Sequence, residues 1–275
     1  MKIKNLFLIT ILALSCASCA SSVFYQVYNV ESINKSDADD KGLLFEDENC
    51  SIRYNLWGEY GDMGYEFYNK TDQNIYLDLS ESFFIVNGVA HDYFQNRIFS
   101  NSASQGVSVK NTATTVTSVA SIFQTTPVIV ASSGTSGATS GYSVSRREEK
   151  IICIPAKTSK FLGEFKINHT LLRDCDLLKY PKRKEVMPKS FDISDSPLVF
   201  SNRFLYMVGD SNEKVKLENK FYVEEITNYP EDEMFEMRYE EYCDERSFSK
   251  VLFHKFVSPK TFYIKYTKGV DTWEH

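Results

Sequence analysis

The chain has 275 residues, with 31 basic side chains against 37 acidic ones, a net charge of −6 and 43% hydrophobic residues. That acidic balance excludes nucleic acid as a partner, because phosphate binding needs clustered positive charge. The 20 Phe and 17 Tyr, beside 12 Gly and 7 Pro, exclude a disordered chain and call for a core rich in aromatic rings.

The first predicted element is an export signal. Lys2 and Lys4 give a positive start, and Leu6 to Leu14 form an apolar run broken only by Thr10. The small residues Ser15, Cys16, Ala17, Ser18, Cys19 and Ala20 follow. A membrane-crossing helix needs about 20 apolar residues, so the run reads as a removable leader. Cys19, preceded by Ala17-Ser18, resembles the lipid-modified first residue of bacterial lipoproteins, in which small residues precede that Cys. The resemblance implies a signal peptide over 1–18, acyl chains on Cys19, palmitate among them, and a membrane as partner through that lipid. Cys16, preceded by Leu14-Ser15, is the alternative lipidation site. Ordinary cleavage after Ala20 would instead release a soluble product. One acyl chain binds only marginally, whereas the three implied here make a stable anchor. No Asp and no acidic run follow Cys19, so the resemblance points to the outer membrane facing the periplasm, with surface exposure left open. Loss of Lys2 and Lys4 with the leader lowers the 31 basic residues to 29 against an unchanged 37 acidic ones, a mature charge of −8.

Residues 19–45 read as a tether and a first strand, Val23 to Val30, followed by a polar, loop-like stretch over 31–42. Asp37, Asp39, Gly42, Leu44 and Glu48 match spaced positions of an EF-hand calcium loop, but Lys41 stands where an oxygen ligand belongs. The stretch reads as a solvated acidic loop, and no metal site is expected.

The body, 46–275, shows a period of two. Tyr65 and Phe67 alternate with Glu66 and Tyr68, and Ile75, Leu77 and Leu79 alternate with Tyr76, Asp78 and Ser80. Phe83 to Val86 runs into Asn87-Gly88, a hairpin turn whose two positions need positive φ, with Val89 to Phe94 as the return strand. Further strands are predicted over Ile151 to Ile154, Phe161 to Ile167, Pro197 to Val208, Val215 to Thr227 and Thr261 to Tyr266. The fold class is therefore mainly β, an antiparallel β-sandwich with one or two short helices. Leu171, Leu172, Cys175 and Leu178 share one helical face, ended by Pro181. Phe235, Tyr239 and Tyr242 give residues 231–246 a helical spacing too, although Phe235, Met237 and Tyr239 also fit a strand.

Phe67 to Gly88, with Ile154-Pro155-Ala156-Lys157 leading into Phe161, resembles strand pairs of immunoglobulin-like domains in uncharacterised lipoproteins of Bacteroides-type bacteria. The resemblance covers about a third of the chain. It implies an immunoglobulin-like sandwich and an envelope address, and no activity.

Between these strands lies a low-complexity insertion, 101–146. No charged residue occurs between Lys110 and Arg146, and Ser, Thr, Gly, Ala and Val dominate. It reads as a solvated loop. A sharper alternative is a mobile arm over Val116 to Ala131 that contacts a partner or the membrane surface.

The chemical inventory is thin. If Cys19 is lipidated and Cys16 removed, then Cys50, Cys153, Cys175 and Cys243 remain, which permits two disulfides or four free thiols. The 4 His include no close metal-ligand spacing, and His91-Asp92, adjacent on a strand, point to opposite faces. Gly134-Thr135-Ser136-Gly137-Ala138 fails the nucleophile-elbow pattern at its last position. Glu231-Asp232-Glu233, Glu240-Glu241 and Asp244-Glu245 supply carboxylates for glycoside hydrolysis only if their environments separate their pKa values; otherwise they are a solvated face. The sequence thus reads as a non-catalytic envelope module without a cofactor, acting on an unidentified envelope protein or glycan. A carbohydrate-binding or glycan-hydrolysing lipoprotein and a surface-appendage subunit are the alternatives.

Overall fold

The computed structural model describes residues 23–34, 37–39, 42–106, 128–130, 139–211 and 213–270. The signal segment, with Cys16 and Cys19, lies outside them.

In chain order the first strands are β1 (Val23–Ser32), β2 (Asp37–Asp39), β3 (Gly42–Glu46), β4 (Cys50–Tyr54), β5 (Tyr65–Asn69), β6 (Ile75–Asp78), β7 (Phe83–Val86), β8 (Val89–Asp92) and β9 (Ile98–Gly106). They continue with β10 (Val128–Val130), β11 (Thr139–Arg147), β12 (Ile151–Ile154), β13 (Ser159–Leu162), β14 (Pro188–Ser190), β15 (Val199–Val208) and β16 (Val215–Pro230). A single turn of helix, α1 (Glu231–Met234), then leads to β17 (Phe235–Tyr242), β18 (Glu245–His254) and β19 (Thr261–Thr267). The chain is mainly β and antiparallel, as its alternation requires.

Two curled sheets enclose the core. The larger runs β12-β6-β15-β16-β1-β19, with β14 beside β16 and the β7–β8 hairpin beside β15. The smaller runs β13-β5-β4-β3-β2. Period-two alternation decides what faces inward. Cys50, Ile52 and Tyr54 of β4 and Tyr65, Phe67 and Asn69 of β5 are buried, while Glu66 and Tyr68 point out. Rings from opposite sheets meet edge to face, the geometry favoured by their quadrupoles: Tyr54 lies 5.2 Å from Phe221, and Phe67 lies 6.0 Å from Tyr206. Two of the buried tyrosine hydroxyls pair with buried amides. Tyr54 Oη donates to Asn219 Oδ1 at 2.9 Å and Tyr93 Oη to Asn202 Oδ1 at 2.7 Å. The Asn87-Gly88 turn forms as its chemistry predicts, with φ of 46° and 82°. Between Asn29 and Val30 the β1–β16 register slips, which makes Glu224 a bulge.

Five expectations change. The strand expected over Phe161 to Ile167 is β13, which ends at Leu162, and the loop expected over 31–42 contains β2. Residues 171–178 form turns rather than a helix, because distant side chains take their backbone groups. Leu172 N donates to Gln26 Oε1 at 2.7 Å, Gln26 Nε2 to Leu172 O at 3.1 Å, and Asn228 Nδ2 to Leu178 O at 2.9 Å. The helix expected over 231–246 stops after α1. Phe235, Met237 and Tyr239 instead pair across a hairpin with His254, Leu252 and Lys250, so the strand spacing prevails. The insertion lies between β8 and β12, but its ends are strand rather than loop. β9 pairs with β11 from Ile98↔Arg147 to Gly106↔Thr139, and β10 adds to β11. Thr and Val suit an extended backbone. Val116 to Pro127, most of the proposed mobile arm, lies outside the described residues.

Candidate functional site

Two surfaces present exposed aromatic side chains outside the main core. The first is the β17–β18 hairpin. Its root is apolar: Met234 is buried beside Tyr25 and Val27, Phe235 meets Tyr25 edge-on at 5.5 Å, and His254 lies 4.4 Å from Phe235 and 5.2 Å from Trp57. Glu233 ties the same root down through Arg183 at 2.7 Å and Lys255 at 3.5 Å. Burial pushes the His254 imidazole below its ordinary pKa.

Beyond this root the hairpin leaves the body. Its turn residues, Cys243 and Asp244, have φ of 49° and 66°, the double positive φ of a tight hairpin turn. Midway the strands fall out of register: Tyr239 faces Lys250, yet Glu241 faces Arg246. Ser247, Phe248 and Ser249 therefore oppose Glu240 alone. Ser247 Oγ staples the irregularity, accepting from Glu240 N at 3.0 Å and donating to Ser249 O at 2.8 Å. Bulges re-aim side chains, and this one lifts Phe248 to 107% exposure, with Tyr242 at 79% near the tip. Arg246 stacks 3.7 Å from the Tyr239 ring centre and Arg238 stacks 4.1 Å from that of Phe253. Those cation–π contacts stiffen an arm that has little core of its own.

The second surface is a groove of about 360 Å³ on the outer face of the smaller sheet. Strand register sets Arg53, Glu66 and Phe161 in one row across β4, β5 and β13. Trp57, Asn55 and Asp62 complete the lining. Two glycines place the Phe161 ring. A Cβ on Gly64 would stand 2.8 Å from Phe161 Cζ, and one on Gly163 would stand 3.0 Å from Cε1. The ring thus lies on bare backbone and remains 54% exposed. Asp62 is oriented by Gly64 N at 2.8 Å and by Lys166 Nζ at 3.3 Å, and Glu66 accepts from Ser159 Oγ at 2.7 Å.

The residues singled out from the sequence are scattered. His91 and Asp92 are both exposed on β8, the His91 ring stacked on Phe84. Cys50, Cys153, Cys175 and Cys243 are all free thiols: Cys50 buried, Cys153 half-buried, Cys175 and Cys243 exposed. Burial, with Asp47 alongside, pushes the Cys50 thiol well up, so it is no nucleophile. Asp37 and Asp39 belong to a β2–β3 hairpin, Asp37 opposite Leu44 and Asp39 opposite Gly42, which is incompatible with a calcium loop. Gly42 serves packing there, since a Cβ would meet Tyr54 O at 2.4 Å. Of the acidic cluster, Glu233 is consumed by ion pairs and Glu240, Glu241, Asp244 and Glu245 line the exposed arm. No group of three or more metal-ligating side chains occurs among the described residues.

Trp57, Phe161 and Phe248 were not legible as surface residues. Trp57 and Phe161 each sit beside a leucine, and Phe248 lies between two serines on a strand whose register slips, so only strand pairing shows which face each takes. Gly163, two residues after Phe161, was the available clue; Gly64 flanks β5, a different strand. Comparison with known proteins finds no matching family model, no similar curated protein and no similar solved structure.

Proposed function

We propose that this chain is an exported, lipid-anchored envelope protein that acts as a non-catalytic binding module, with the β17–β18 arm as the element that docks a protein partner. The observation that carries the reading is the bulge at 247–249, which holds Phe248 wholly outside every core on a hairpin stiffened by stacked arginines. A large aromatic residue held in water contributes nothing to the fold and has the chemistry of an interface anchor, worth about 2 kcal/mol or more when a partner desolvates it. The arm carries Glu236, Glu240, Glu241, Asp244 and Glu245 against Arg238, Arg246 and Lys250, a net charge of −2 that suits a partner with a weakly basic rim. The export half of the reading rests on the apolar leader and on Cys19, with Cys16 as the alternative lipid site.

A photo-crosslinking residue placed at Phe248 tests the docking half in the producing cells. A discrete adduct from position 248 and none from the same probe at Asp72, an exposed site on the body, is the expected pattern. Adducts at neither position, or equally at both, would overturn it. Labelled palmitate tests the other half: incorporation should vanish in Cys19→Ala, and a chain that never takes label is not a lipoprotein.

A further inference from the structure

The groove carries an inference that goes beyond the arm and does not depend on it or on the lipid. Phe161 offers an open ring face from its glycine shelf, and Trp57 supplies a second aromatic surface in the same lining. Between and beside them stand planar polar groups: the Arg53 guanidinium, the Asn55 amide, and the Asp62 and Glu66 carboxylates. The local charges cancel, because Arg53 and Lys166 balance Asp62 and Glu66. A groove with no net charge gives neither an anion nor a cation a long-range Coulombic advantage. What it complements is a molecule with flat C–H faces and vicinal hydroxyls, the faces for aromatic stacking and the hydroxyls for the forked donors and acceptors.

We propose that this groove binds a neutral oligosaccharide, with Phe161 as the stacking platform and Trp57 as the second contact. Its volume lies near the lower end of small-molecule sites, at about 300 Å³ and above, and suits a disaccharide-sized stretch of a longer chain. Gly64 and Gly163 act as positioning residues, since any side chain there lifts the platform.

The chain holds 2 Trp, Trp57 and Trp273, so the full-length Trp273→Phe protein in detergent reports on the groove through Trp57 fluorescence alone. Titration with cellohexaose, maltohexaose and mannohexaose should give a saturable change with at least one of them. Phe161→Ala, at an exposed position, should weaken that binding about tenfold, the equivalent of a lost aromatic contact, with an unchanged melting curve. Glu66→Gln keeps an acceptor but removes the charge, so affinity for a neutral glycan should change less than about threefold. No saturable response to any of the three sugars up to ~10 mM, or a response that Phe161→Ala leaves intact, would overturn the proposal. So would preferential binding of tetramethylammonium or of polygalacturonate, added as the cationic and anionic probes. Failed palmitate labelling beside intact sugar binding would sink only the anchor, and the reverse only the groove.

Discussion

The molecule fastens two projecting regions to one sandwich by opposite means. The β9–β10–β11 arm is rooted on a buried charge. Glu148, its side chain at 0% exposure, accepts from Gln95 N at 2.9 Å and Arg97 N at 3.0 Å and is gripped by the Arg97 guanidinium, which also holds Glu164. The β17–β18 arm is rooted on Met234 and a ring of aromatic side chains, with the neutral His254 among them. A charged root is only as good as its last partner, because an ion left alone in the interior cannot recover its hydration. An apolar root weakens in proportion to the volume removed. The same architectural task therefore leaves two different vulnerabilities.

Four measurements break or sharpen that contrast. Arg97→Met should have the largest effect, about 3–5 kcal/mol in denaturant unfolding, because Glu148 is left buried and unpaired; the double change with Glu148→Leu should recover much of it. Met234→Ala should come next, roughly 2–3 kcal/mol from a buried methionine's lost volume, with hydrogen exchange rising in β17–β18 and not in β9–β11.

Acidification should release the arms in sequence. The folded His254 pKa is lowered by burial, so the unfolded state binds the proton first. That contribution is present above the ordinary histidine range, near 6.5, and is lost as pH falls from there toward the folded value. Burial opposes the Glu148 charge, but the Arg97 side chain and the N–H groups of Arg97 and Gln95 outweigh it and hold the carboxyl below 4.5. Its contribution lasts until pH falls through that lower folded value. Hydrogen exchange against pH should therefore show β17–β18 loosening before β9–β11, and the opposite order would refute the assignment of roots. The smallest effect belongs to Phe248→Ala, within about 0.5 kcal/mol of the parent, since the side chain touches no core; a larger loss would mean that the arm packs on the body.

Much of the sandwich was legible beforehand because its signals are local. Alternation in β4 to β6, and the Asn87-Gly88 turn, each need only a few neighbouring residues, and the strands over 199–208, 215–230 and 261–267 fall within a few residues of expectation. The Leu171–Leu178 segment failed for the opposite reason: Gln26 and Asn228, far away in sequence, take the amides and carbonyls that a helix would pair internally. Residues 231–246 misled because Phe235 and Tyr239 satisfy two periods at once, the helical one with Tyr242 and the strand one with Met237, and Cys243-Asp244 is a weaker turn signal than Asn-Gly.

By itself the sequence determined the strand content, the alternation that turns Tyr65, Phe67, Ile75 and Leu77 to one face, and the expectation of an export leader, since each follows from residues close together in the chain. Only the tertiary structure decided which aromatics stay in water. Phe248 is exposed because a register slip turns it outward, and Phe161 because two glycines leave its ring a backbone floor. Both depend on how strands pair, and pairing is a property of the whole sheet that no short window of residues contains.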